Sequence, residues 1–179
     1  MRSALWALAF VALIGGGAIM AALLRNDLPW ETPPGPAIRL QRYLTGNVAE
    51  TLPGSPFPEL LPRRYADVTP EELFGFVEHA VPKITRVQVL ERDPKQRVLR
   101  LMRTTSLFGF RDDLAIRVTG DPEGRGAVLF LRSESRAGQA DFGANIRNVL
   151  DIYAAIDAVV PPPPDAPYKA PPAAEPLLF

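Results

Sequence analysis

Cysteine is absent from the 179 residues, which excludes disulfides, thiol nucleophiles and cysteine metal sites. It leaves the redox compartment open, because exported and cytosolic chains can both lack it. Histidine occurs once, at position 79, so a histidine-built metal centre is out of reach and any metal would need carboxylates beside it. Net charge is missing too: 20 basic residues balance 20 acidic ones, leaving no field to draw the chain onto nucleic acid. Proline is abundant, with 20 residues gathered mainly in two blocks that read as linker and tail. The length suits one domain with a tether and a tail.

Charge is also absent from Ser3 to Leu24, which is apolar apart from the serine and Gly15, Gly16 and Gly17. At about 1.5 Å per residue, these roughly 22 residues match a hydrocarbon core of about 30 Å. Residues 1–25 are therefore expected to form a transmembrane helix or uncleaved signal anchor. The rival is a cleaved secretory signal, with Arg2 as its basic start and Gly16-Gly17-Ala18 as its small-residue cleavage site. Arg2 on one side and Arg25, Arg39 and Arg42 on the other do not set an orientation. A large domain behind a lone N-terminal span is generally exported, which places the globular part outside the cytoplasm.

Residues 26–65 form a proline-rich linker, interrupted by one short helix from Ala37 to Leu44 and stopped at Gly46-Asn47. Trp30 is suited to the headgroup level of a bilayer. The domain is expected over residues 66–160. Thr69-Pro70-Glu71-Glu72 has the composition of a capping box, and the helix behind it would bury Leu73, Phe76, Val77 and Ala80 before Pro82. His79 on this helix reads as a structural histidine. Four strands follow as two hairpins: Arg86 to Arg92 with Arg97 to Thr104, then Asp113 to Thr119 with Ala127 to Ser135. On the last strand Leu129, Leu131, Ser133 and Ser135 share a face that turns polar just before the chain leaves the sheet. Asp141 then caps a final helix from Phe142 to about Val159. Prolines 161 to 164 end it, and residues 161–179 form a proline-rich tail.

The unusual polar residues therefore converge where sheet passes into helix. The segments Ser106-Leu107-Phe108-Gly109-Phe110-Arg111-Asp112-Asp113 and Arg132 to Asn145, with its serine-x-serine-arginine-x-glycine-x-x-aspartate-x-glycine-x-asparagine pattern, resemble the domain of unknown function 1499 family. The resemblance covers roughly the C-terminal half. It implies a bacterial or plastid protein, often behind an export signal or membrane segment, with no agreed activity. The family pattern falls on Asp112, Asp113, Ser133, Ser135, Arg136, Gly138, Asp141, Gly143 and Asn145. Two departures stand out: Asn148 where members often carry an arginine, with Arg147 one position earlier, and no cysteine-containing N-terminal segment.

Asp112, Asp113, Ser133, Ser135, Arg136, Asp141, Asn145 and Arg147 are the candidate residues of a polar junction. Read as structure, the serines satisfy backbone groups, Asp141 caps the helix, and Arg136 pairs with Asp112 or Asp113. Read as a site, the same groups surround a small anion, with Arg136 as its fork-shaped donor. Catalysis has thin support: adjacent carboxylates on a strand point to opposite faces, and no glycine-x-serine-x-glycine elbow exists.

The expected architecture is α+β: a single N-terminal transmembrane helix, then a small domain with a four-stranded antiparallel sheet packed against two helices. The expected role is a membrane-anchored, non-catalytic accessory or interaction protein of the bacterial inner membrane, single-pass, with a periplasmic domain. Its partners would be the lipid bilayer and a membrane protein complex or another protein, and it would need no cofactor, metal or nucleic acid. The alternatives are an extracytoplasmic small-ligand or lipid-binding domain and an uncharacterised hydrolase-like enzyme.

Overall fold

The alternation of apolar and polar residues after Val87 folds into the central sheet of a computed structural model that describes residues 2–106, 109–124 and 126–160. Strands β3 (Val87–Asp93) and β4 (Val98–Thr104) form one antiparallel hairpin, and β5 (Arg111–Gly120) and β6 (Ala127–Ser135) the other. β4 pairs with β5, which joins the two.

The sheet has six strands instead of the four expected, ordered β1-β6-β5-β4-β3 with β2 also on β6. The additional strands, β1 (Val48–Glu50) and β2 (Arg63–Tyr65), come from the proline-rich segment. Prolines 53, 56, 58 and 62 prevent a long strand there, but they leave two tripeptides whose backbone can still pair. β2 lies against Ala127 to Leu129 and β1 against Arg132 to Glu134, so together they close the outer edge of β6. Thr51 fills the gap between them: its amide donates to the Leu131 carbonyl at 2.9 Å, and its hydroxyl accepts from the Leu131 amide at 2.8 Å.

Helix α1 spans Arg2–Arg25 and α2 Pro36–Thr45. Helix α3 (Pro70–Ala80) begins with the expected capping box, Thr69 Oγ1 accepting from the Glu72 amide while the Glu72 carboxylate accepts from the Thr69 amide. It buries Leu73, Phe74, Val77 and Ala80; Phe76 is half outside and Phe74 takes its place in the core. Helix α4 (Ala144–Asp157) starts two residues later than expected, because Phe142 and Gly143 both adopt positive φ (52° and 82°). Glycine is required at 143: a Cβ there would run into the Leu28 side chain.

The core lies between the helices and one face of the sheet. Leu99, Leu101, Leu114, Ile116, Leu129 and Leu131 meet Leu73, Val77, Ile146, Val149, Ile152 and Ile156, all within 3 % of full burial. Each such side chain contributes about 1.5–3 kcal/mol of transfer free energy.

The expected transmembrane helix is corrected: among the described residues no helix is long and apolar enough to cross a membrane. The physical reason lies at the C-terminal turns of α1. Ala22 and Leu23 are buried on the domain and Ile19 packs against its core, so these turns face protein. The remainder, from Arg2 to Ala18, reaches roughly 25 Å at helical rise, short of a hydrocarbon core of about 30 Å, and it contains the three consecutive glycines. Trp30, expected at a lipid headgroup level, instead meets Tyr43 edge to face at 5.0 Å between ring centroids. The tail at 161–179 lies outside the described residues, as do Leu107 and Phe108.

Candidate functional site: a buried polar junction

Strand β6 delivers Ser133 and Ser135 to the core side, β5 delivers Asp112, and the first turns of α4 deliver Asn145 and Asn148. All five side chains are buried, Asp112 and Asn145 completely. They bond chiefly to one another. Ser135 Oγ donates to Asp112 Oδ1 at 2.7 Å, and Asn148 Nδ2 donates to Asp112 Oδ2 at 2.9 Å. Asn148 Nδ2 also reaches Ser133 Oγ at 2.9 Å, and Ser133 Oγ donates to Asn145 Oδ1. Asn145 Nδ2 contacts Ser135 Oγ, Asp141 Oδ2 and the Asn47 carbonyl at 2.9, 2.6 and 2.7 Å.

Asp141 holds the entry to α4 from outside the helix. Its carboxylate accepts from the Gly143 amide at 2.7 Å and from the Asn145 amide at 3.1 Å, which satisfies two of the free donors at a helix start. Burial pushes its carboxyl up from the ordinary aspartate value, against the pull of those bonds. Asp112 is shifted in the same direction by the same cause, opposed by Ser135, Asn148 and the more distant charge of Arg103. Asn148 connects those two: its Oδ1 accepts from Arg103 at 3.0 Å while its amide serves Asp112. A neutral amide thus stands between Asp112 and the nearest cation.

Asp113 points to the other face of the sheet, as alternation requires. Its carboxylate binds Arg136 through two bonds of 2.9 and 2.7 Å in an exposed, fork-shaped pair. The two aspartates therefore share no site, and Arg136 fastens the strand ends from the solvent side. Arg147 also leaves the junction, turning outward to pair with Asp151 at 2.7 Å. Of the eight candidate residues, five converge in the buried network: Asp112, Ser133, Ser135, Asp141 and Asn145.

Asn148 and Asn47 complete that network and were not among the candidates. Asn148 was legible as the polar interruption of the apolar stripe between Ile146 and Val149. Asn47 contributes through its backbone, which leaves no mark in residue type. His79 lies on α3 with Lys83 Nζ 2.7 Å from its Nε2, away from the junction. Among the described residues no group of three or more His, Asp or Glu side chains is arranged to hold a metal.

A second buried polar centre lies under α2. Arg39, fully buried, forms a bidentate pair with Glu59 at 2.6 and 3.0 Å and also donates to Tyr43 Oη and the Thr32 carbonyl.

A family model described as a protein of unknown function (DUF1499) matches residues 38–156, from α2 into the last turn of α4. The match reaches well beyond the C-terminal half that carried the resemblance and takes in β1 and β2. No curated protein matches the chain.

Proposed function

The chain belongs to the family of unknown function DUF1499, whose description assigns no activity, so a role has to rest on this chain's own geometry; we propose that it is a non-catalytic interaction or accessory protein. The carrying observation is α1. Trp6, Phe10, Leu13, Met20 and Leu24 are each more than half exposed and follow one another at helical spacing, with Ile14, also more than half exposed, beside them on a helix that is apolar nearly all round. Ile19, Ala22 and Leu23 occupy the opposite side and fix the helix to the domain. An apolar stripe of this kind on a helix held by its other face has the form of a segment that lies in a partner's apolar groove.

The junction supports the same reading from the other direction. Asp112, Ser133, Ser135 and Asn145 are engaged with one another, which is how a structural polar core is satisfied. The recess that reaches its edge, lined in part by Ser135 and Asp141, holds about 40 Å³, too little for a substrate to meet a catalytic acid or nucleophile there. The proposed setting is the bacterial inner membrane, on its periplasmic side, with a membrane protein complex as the partner that takes the α1 stripe.

Gentle detergent extraction of the native protein, followed by mass analysis, tests this. A larger complex is expected to co-purify in fixed proportion, and Leu13→Glu in α1 is expected to release it while leaving the melting temperature unchanged. Recovery of the native protein alone would overturn the reading.

A further inference from the structure

Beside the junction, on the outer side of α4, a recess of about 360 Å³ opens between the end of α1, the approach to β3 and the end of β4. Four arginines line it, Arg25, Arg86, Arg103 and Arg147, against one lining carboxylate, Asp151, with the exposed Asp27 3.8 Å from Arg147 outside the lining. In a chain whose charges balance overall, this is a local excess of positive charge with a cavity at its centre. We propose that the recess binds an organic phosphate through these arginines.

The arginines are differently held, and the difference fits a binding site. Arg103 and Arg147 converge on Asp151 at 2.6 and 2.7 Å, and Arg103 also donates to Asn148 Oδ1, so two guanidinium planes are fixed before any ligand arrives. Arg25 spends its Nε on Ser106 Oγ at 2.7 Å. Arg86 is exposed and makes no ion pair among the described residues. Its backbone is held at φ 65°, a left-handed conformation that residues with a side chain rarely adopt.

Guanidinium groups match phosphate because their paired donors meet two oxygens of one tetrahedral group. Threonine hydroxyls at 85 and 104 add donors on the same wall. The volume lies at the lower end of the about 300–1,000 Å³ typical of small-molecule sites. That is room for a phosphate with a small organic group attached. A phosphorylated metabolite and the headgroup of an anionic phospholipid share this chemistry. The inference goes beyond the interaction reading and stands apart from it, since α1 contributes only Arg25 and its neighbour Asn26 here.

The test uses the full chain, titrated calorimetrically with glycerol phosphate, and in parallel floated with vesicles of phosphatidylglycerol or of phosphatidylcholine. Arg25→Ala/Arg86→Ala removes two exposed arginines and is expected to weaken binding about tenfold or more with no change in melting temperature. Arg92→Ala, exposed at the far end of β3, is expected to bind as wild type. Binding of glycerol phosphate assigns a free ligand. A preference for phosphatidylglycerol over phosphatidylcholine that the double variant loses, without glycerol phosphate binding, assigns a headgroup. Failure of both, or a double variant that binds like wild type, overturns the proposal and leaves the co-purification result untouched.

Discussion

Two of the buried polar centres that hold this domain together are built on opposite principles. Under α2, Arg39 and Glu59 bring two full charges out of water and rely on a bidentate pair. At the junction, one carboxylate, Asp112, is surrounded by hydroxyls and amides, with its nearest arginine one asparagine away. A buried ion pair is sensitive to losing either member, because the survivor is left charged and unsolvated. A network of neutral donors and acceptors spreads the loss over several bonds, and its single acid can take up a proton. The first centre is thus a two-part lock and the second a mesh.

Arg39→Ala gives the largest expected effect, about 3–5 kcal/mol of lost stability by urea denaturation, since it strands the Glu59 carboxylate. A loss no larger than that of a surface substitution would show that Glu59 reaches water and that the contrast is false. Asn145→Ala comes next. It removes the amide that joins Ser135, Asp141 and the Asn47 carbonyl, at about 1–3 kcal/mol for the groups left unsatisfied. An effect equal to that of Arg39→Ala would erase the distinction between lock and mesh.

The smallest and sharpest effect is one of pH. Asp112 has its carboxyl raised in the folded protein, so the stability linked to it is full where the unfolded carboxyl is still protonated, below about pH 3.9. It is lost as pH rises through the folded value. Asp112→Asn removes that titration, so the melting temperature of the variant relative to wild type is expected to climb across this window. A difference that stays flat with pH would mean that Ser135 and Asn148 fully offset the burial of the charge.

The same two centres show where sequence reading succeeds. The junction was legible because each participant leaves a type-specific trace: serines on the core face of β6, an aspartate at a cap, an asparagine in the first turn of α4. The hairpins were legible from alternation, and α3 from its capping box. The Arg39–Glu59 pair was not, because its partners lie 20 residues apart in a segment whose prolines announce extended chain, and nothing local links them. β1 and β2 escaped for a related reason. Three residues show no periodicity, and their pairing is decided by the vacant side of β6. The end of α1 is apolar whether it faces lipid or protein, so only its packing on the domain distinguishes the two.

That covering of β6 has a consequence for how the protein behaves in a crowd. A sheet with two bare flanks is a template on both sides for adding foreign strands, and such growth is the route to fibrils. Here one flank is formed by β1 and β2, three residues each with prolines 53, 56, 58 and 62 between and beside them, which leaves a visiting strand little to pair with. The other, β3, breaks its register between Val89 and Glu91 and carries Glu91, Arg92 and Asp93 in succession. A bulge with charges beside it is a poor surface for a visiting strand. The proline-rich segment, read locally as a mere spacer, is thereby half of the molecule's defence against self-association.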